Sequence, residues 1–238
     1  MARVRAVAWY GAAIICLVVS YPSIFLARYL NYRGSYARRN WYANIVVSRL
    51  ARVIFYMTGS RIKIEGREKI PTTPCLFVSN HQGHLDSVII QGFIKKPKGF
   101  VSITQYERVP ILGSWMQHMG SVFIDRNDIR QTFMTINKAA DIIGTGHSMV
   151  VFPEGKMNDG GETFDFQKGW LKMVRQNKIP VVPVTIKGSY KILSYNGRSM
   201  KPARIECYIS EPMPTEHLTK SDEEQFLNDL RQTILSKL

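Results

Sequence analysis

From Met1 to Ile64 the chain has no aspartate or glutamate, while Arg3, Arg5, Arg28, Arg33, Arg38, Arg39, Arg49, Arg52, Arg61 and Lys63 supply ten positive charges. The remaining 22 basic and 18 acidic residues leave only +4 of the net +14 for the rest of the chain. Such one-sided charge points to a polyanion, either nucleic acid or an anionic membrane surface. Charge of either sign is missing from Ala6 to Ala27. That uncharged apolar run is long enough for a bilayer, which takes about 20 residues. Nucleic-acid binding needs no such run, and no groove-reading motif is present, so the membrane is the expected polyanion. Cysteine is scarce as well: Cys16, Cys75 and Cys207 lie far apart, which excludes a disulfide framework and fits a reducing compartment. Histidine is limited to five residues. Three of these, His118, His147 and His217, stand singly and give no metal-binding spacing.

The 238 residues, 45% of them hydrophobic, suffice for one domain with a sizeable core and a small appendage. The first 60 residues read as the appendage and residues 61–238 as the catalytic domain. Basic residues precede the apolar run, as in a signal peptide, but no small-x-small cleavage site follows, so an uncleaved anchor is expected. Pro22 near its end, with arginines on both sides, leaves crossing and dipping both open. Trp41 to Met57 has the pattern of a basic amphipathic helix: Asn44, Ser48 and Arg52 recur every four residues beside Arg49, and apolar residues fill the remainder. Trp41 and Tyr42 suit the headgroup level. A helix packed on the core, with its arginines in water, is the alternative.

From Arg61 onward short β-branched runs alternate with segments of helical period. Strands are expected at Arg61 to Glu65, Cys75 to Ser79, Phe100 to Ile103, Val122 to Ile124, Met149 to Phe152 and Val181 to Ile186. The clearest helix is Asp128 to Gly144, with Asp128 as its cap and Ile129, Phe133, Ile136, Ala140 and Ile143 as its stripe. A closing helix from Ser221, with Glu224 three residues on, has a capping-box start. This alternation gives an α/β fold with a largely parallel sheet flanked by helices, preceded by a helical membrane-docking segment.

The chemistry concentrates in Asn80-His81-Gln82-Gly83-His84-Leu85-Asp86, where an apolar strand hands over to a helix. A histidine there projects from the carboxyl edge of the sheet, where open α/β sheets keep their ligand sites. Asp86, in the first turn of the helix, is placed to turn back to the imidazole, fix its tautomer and leave the far nitrogen free as a base. His81, His84 and Asp86 also make an H-x-x-H-x-D cluster, so a metal site is the rival reading, with a capping histidine as the plain one. Cys75 is near in sequence, but a cysteine inside a strand reads as core. Three further strand exits carry unusual residues. Asp125-Arg126 puts an arginine at the rim, suited to a phosphate or to a surface ion pair. Pro153-Glu154-Gly155-Lys156 combines an acid with a backbone free to turn tightly, and Pro180 and Pro183 flank an irregular strand.

NHQGHLD, GSVFIDR, VFPEG and IPVVPV, in this order and at these separations, resemble the glycerolipid acyltransferase family that includes 1-acyl-glycerol-3-phosphate acyltransferases. The resemblance covers roughly Ile64 to Ser189. It implies transfer of a fatty acyl group from acyl carrier protein or coenzyme A to the free hydroxyl of a lysophospholipid, at the sn-2 position of 1-acyl-sn-glycerol-3-phosphate, without metal or cofactor. It further implies His81 as base, Asp86 as its orienter, Arg126 as a phosphate contact and Glu154 and Gly155 as the core of the third motif, with Lys156 the nearest cation beside them. The basic leading segment is similar to the membrane-docking helices of bacterial members, which implies the cytoplasmic face of the inner membrane. Two departures stand out. The family's Thr-Arg-Ser after FPEG is Lys156-Met157-Asn158 here, and Thr104-Gln105-Tyr106-Glu107 lacks the lysine common before the second motif.

Overall fold

The computed structural model describes all residues 1–238. Helices α1 (Ala2–Tyr32) and α2 (Tyr36–Tyr56) lead into strand β1 (Arg61–Glu65). There follow β2 (Leu76–Ser79), α3 (Asp86–Phe93), β3 (Lys98–Ile103), α4 (Thr104–Glu107), α5 (Leu112–His118) and β4 (Val122–Ile124). The chain closes with α6 (Ile129–Gly144), β5 (Ser148–Val151), α7 (Leu171–Asn177), β6 (Val181–Lys187), β7 (Arg204–Ile209) and α8 (Glu223–Leu235). The seven strands form one sheet in the order β1-β7-β6-β2-β5-β3-β4, parallel throughout except between β6 and β7. β2, buried along its whole length, is central, with β6 on one side and β5 on the other.

Two apolar layers sandwich the sheet. One joins Ala6, Ile24 and Ala27 of α1, and Ala43 and Phe55 of α2, to α3 and to one face of the strands. The other is built from α6, α7 and α8. A helix that sheds apolar area on one side against a sheet is stabilised there by roughly 25 cal/mol per Å² buried. α1 uses this at Ala6, Ile24 and Ala27; Val7, Ile14, Ile15, Val18, Val19 and Phe25 remain exposed. Pro22 lies inside the helix, and contacts run along its length: Trp9 donates to the Ile54 carbonyl, and Trp115 of α5 donates to Ser20 Oγ at 2.9 Å. α1 therefore lies along the domain.

α2 differs from the amphipathic expectation in which side is polar. Asn44 is only 4% exposed, and its Oδ1 accepts from the backbone N–H of Lys98 at 3.0 Å and from Gln91 Nε2 at 3.2 Å. Ser48 Oγ donates to the Gln91 carbonyl at 2.9 Å. The recurring polar stripe thus satisfies polar groups of α3 and β3 inside the fold, and Trp41, Arg49, Val53 and Tyr56 face outward. Period fixes a stripe but not what it faces. Elsewhere α6 stands where expected, with Asp128 Oδ1 accepting from the Gln131 N–H at 3.0 Å and Ile136, Ala140 and Ile143 of its stripe buried, but Ile129 and Phe133 in its first turns are exposed; α8 starts after Asp222 with no side-chain cap. β7 is a strand not anticipated, alternating inward Ile205, Cys207 and Ile209 with outward neighbours.

Lys98, fully buried, donates from Nζ to the carbonyls of Ile94 at 2.8 Å and Lys96 at 3.0 Å, closing the end of α3. Burial pulls its pKa from 10.5 down to about 7. A neutral amine has two N–H donors, which match the two carbonyls; a third proton would have no acceptor. Between those two pKa values the unfolded chain binds more protons than the native one, so this residue makes stability rise with pH across that window. Urea unfolding at pH 7 and pH 9.5 is expected to show a gain for the wild type that Lys98→Met lacks. Parallel pH dependence in the two proteins would refute the buried neutral lysine.

Candidate active site

β2 and β5 lie side by side, with Leu76 beside Met149 and Val78 beside Val151, so the loops leaving their carboxyl ends meet. The first loop carries His81 and the second Glu154. Asn80, fully buried, continues the sheet with its side chain. Its Nδ2 donates to the Ile186 carbonyl and its Oδ1 accepts from the Ile186 N–H, both at 2.8 Å. Gln82 Oε1 accepts from the Gly188 N–H at 2.9 Å. These two amides pin the loop to the end of β6 and leave the intervening histidine at the rim.

His81 Nδ1 lies 2.8 Å from Asp86 Oδ2, and the same oxygen accepts from the Gly83 N–H at 2.8 Å. Asp86 is 0% exposed and sits in the first turn of α3, where the helix dipole favours its charge. With a carboxylate on one side, the imidazole carries its proton on Nδ1 and presents Nε2 as an acceptor. The His81 side chain is 21% exposed, and Nε2 has no partner within the chain. Phe152 stacks beneath the ring, with centroids 4.3 Å apart and planes 22° from parallel. The other oxygen of Asp86 is buried without a partner, so the imidazole and one backbone N–H provide all of its hydrogen bonds within the chain.

Glu154 is buried, and both of its oxygens are occupied. Oε1 accepts from the His81 backbone N–H at 2.8 Å, and Oε2 accepts from Asn158 Nδ2 and the Phe164 N–H, each at 3.0 Å. Asn158 returns its own N–H to the His81 carbonyl at 2.9 Å. Glu154 therefore builds the wall around the histidine, with both of its oxygens engaged. Gly155 has φ +70°, which a side chain disfavours, and an added Cβ would point into open space. Gly83 is needed for another reason: a Cβ there would approach the backbone of Tyr190 to 3.1 Å.

The other candidates are spread around the rim. His84 leaves the pair, and its Nε2 lies 2.9 Å from the Tyr195 carbonyl on the loop after β6. His81, His84 and Asp86 thus do not converge on one point. Arg126 is exposed at the exit of β4 and takes part in no ion pair. Lys156 is exposed, with Nζ 3.9 Å from the centroid of the Phe164 ring. Cys75 is buried in the sheet and its thiol is pushed up to about 11 by burial, which makes it a poor nucleophile. Asn80 and Asn158 escaped the sequence reading, since a lone asparagine in a loop has no spacing to mark it.

Two outcomes separate the base-and-orienter geometry from a mere cap. His81→Ala and Asp86→Asn are each expected to lower kcat about a hundredfold to ten-thousandfold, with His84→Ala close to wild type. Equal losses at His84 and His81 in steady-state assays would refute the assignment.

A family model described as Acyltransferase matches residues 61–187. A Mycoplasma pneumoniae protein named a probable 1-acyl-sn-glycerol-3-phosphate acyltransferase is 27% identical over 199 residues, covering 79% of this chain and 75% of that one. The 1-acyl-sn-glycerol-3-phosphate acyltransferase of Saccharomyces cerevisiae is 29% identical over 190 residues, 78% of this chain and 62% of its own length. A chloroplastic enzyme of that name from Arabidopsis thaliana is 32% identical over 165 residues, 68% of this chain and 45% of its own. The chain thus spans three quarters of the mycoplasmal relative and smaller shares of the other two. The crystal structure of the 1-acyl-sn-glycerophosphate acyltransferase from Thermotoga maritima superimposes with a TM-score of 0.82 at 21% identity, covering 97% of this chain and 92% of that one. At that identity the likeness establishes a shared fold.

Proposed function

The chain belongs to the Acyltransferase family, and from that membership we propose that it moves a fatty acyl group from a thioester of acyl carrier protein or coenzyme A to the sn-2 hydroxyl of 1-acyl-sn-glycerol-3-phosphate, giving phosphatidic acid. The observation that carries this reading is the His81–Asp86 pair, with its free imidazole nitrogen at the rim. Nε2 takes the proton of the acceptor hydroxyl as the oxygen bonds to the thioester carbon. The tetrahedral oxyanion collapses, the carbon–sulfur bond breaks, and the proton passes from the imidazolium to the departing sulfur. Phosphatidic acid, a free thiol and neutral His81 result. Asp86 stabilises the transient imidazolium and does not itself take the proton. The backbone N–H groups of Lys156 and Met157, unpaired within the chain, are the donors we assign to the oxyanion.

The acceptor's phosphate falls to Arg126, with two-pronged geometry, and to Lys156, a flexible point charge parked over Phe164. Met157, in the position of the family's arginine, offers no charge. The exposed apolar side of α1 and the outward Trp41, Arg49 and Val53 of α2 hold the enzyme at the cytoplasmic face of the inner membrane, against anionic lipid. Residues 1–60 serve that docking and residues 61–238 hold the catalytic machinery, although both share one core.

Lipid mass spectrometry of the purified enzyme given mixed lysolipids and an acyl thioester is expected to show phosphatidic acid as the main product. In Lys156→Ala the acceptor KM should rise about tenfold with the thioester KM unchanged, and Lys156→Thr with Met157→Arg should recover it. A main product built on a headgroup without a phosphomonoester would contradict the proposed acceptor, and wild-type kinetics in Lys156→Ala would remove that lysine from the site. Replacing Ile15 and Phe25 with glutamate, on the outward side of α1, is expected to release the protein from floated anionic vesicles with its thermal unfolding unchanged. Undiminished flotation would exclude α1 as the anchor.

A further inference from the structure

The layer of the molecule opposite α1 has its own exposed apolar surface. On α6, Ile129, Phe133 and Met134 are 85%, 56% and 63% exposed; Ile129 and Phe133 continue the line of Ile136 and Ala140 toward the amino-terminal end of the helix, and Met134 stands about 100° round the helix from Phe133. Lys172 of α7 holds its Nζ 4.4 Å from the centroid of the Phe133 ring, and Arg130 and Lys138 are exposed on the same helix. Asp128 is engaged in capping, and no acid follows it on the helix before Asp141. The packing of α6 on the sheet does not need these side chains outside, because Ile136, Ala139, Ala140 and Ile143 already fill its inner side. An exposed aromatic and methionine with cations on the same two helices have the composition of a protein contact.

We propose that this surface docks an acidic carrier protein that presents the acyl thioester to the site. The proposal rests on the acyl-transfer reading above and selects one of its two donors. Charge supports an acidic partner, since Arg130 and Lys138 are exposed on α6 and Lys172 lies against Phe133, and these cations steer a negative surface toward them. Position argues against the bilayer: α1 and α2 lie on one side of the sheet and α6 and α7 on the other, so a flat membrane beneath α1 leaves this patch facing solvent. Distance suits an arm and not direct contact. α6 begins just beyond the end of β4, at the same rim as His81, and β4 lies three strands from β2. At about 4.8 Å per strand that separation is roughly 14 Å, which a flexible thioester-bearing arm spans. The membrane-bound acceptor and the soluble donor then approach from opposite faces. Coenzyme A, a small molecule, has no use for the patch.

The test uses the full-length enzyme and a variant with Arg130→Glu, Phe133→Ser and Lys172→Glu, none of which touches the catalytic pair or the phosphate contacts. Initial rates are measured with one acyl chain carried either on an acyl carrier protein or on coenzyme A. Binding of labelled carrier protein is titrated without acceptor, and flotation on anionic vesicles is recorded. Expected is a rise on the order of tenfold or more in the KM and Kd for the carrier, with coenzyme A kinetics and flotation unchanged. Unchanged carrier binding in the variant overturns the proposal, as does a wild type that neither binds nor uses the carrier thioester. Lost flotation would assign the patch to the membrane and also overturn it. A wild type that binds carrier but turns over neither thioester would strike the acyl-transfer reading alone, because the binding titration decides the docking surface independently.

Discussion

One buried carboxylate holds the site together. Glu154 accepts hydrogen bonds from the backbone of His81, the side chain of Asn158 and the backbone of Phe164, and so joins loops that are far apart in sequence. Bonds of this kind to a charged acceptor contribute about 1.5 to 3 kcal/mol each, and removing the acceptor would leave buried donors without partners. The parallel pairing of β2 with β5 makes the contact available, since only adjacent strands deliver their carboxyl ends to the same place. Glu154 fixes where the backbone of His81 lies, and Asp86 fixes how its ring is turned. Position and orientation of the histidine thus come from two different carboxylates on two different elements.

The same division explains how much could be read from the chain alone. The His81–Asp86 relation is local: five residues across a strand-to-helix turn determine it, so spacing was enough. Most strands were legible as short apolar, β-branched runs bounded by turn residues, and α6 by its period, its cap and its closing glycine. The role of Glu154 is non-local. Its partners lie 73, 4 and 10 residues away and include two backbone groups that any residue would supply, so no pattern announces them. β7 had a readable alternation, Ile205, Cys207 and Ile209, but it follows a loop and runs opposite to β6, outside the strand-helix rhythm that guided the reading. On α2 the period was correct and the direction reversed, because Asn44 and Ser48 meet polar groups of α3 and β3 that only the tertiary structure brings near.

Charge and apolar surface are distributed unevenly over the molecule. The acid-free amino-terminal segment carries ten cations on α1, α2, the turn between them and β1, with the exposed apolar side of α1 turned away from the core. The carboxyl rim of the sheet holds His81, and Arg126 and Lys156 follow the carboxyl ends of β4 and β5, both exposed. The buried Cys75, with its thiol pushed up to about 11, is poorly suited to carry the acyl group, in keeping with the proposed route of direct attack by the acceptor oxygen.

That route is open to a direct observation: intact-protein mass spectrometry of the enzyme mixed with an excess of acyl thioester, quenched before and after addition of 1-acyl-sn-glycerol-3-phosphate. Direct general-base transfer requires the protein mass to stay unmodified in both samples, with diacyl product in the second alone. An acyl adduct on the protein before the acceptor is added, lost once it arrives, would contradict His81 as a base acting on the acceptor hydroxyl in a single displacement and would place a covalent intermediate in the reaction.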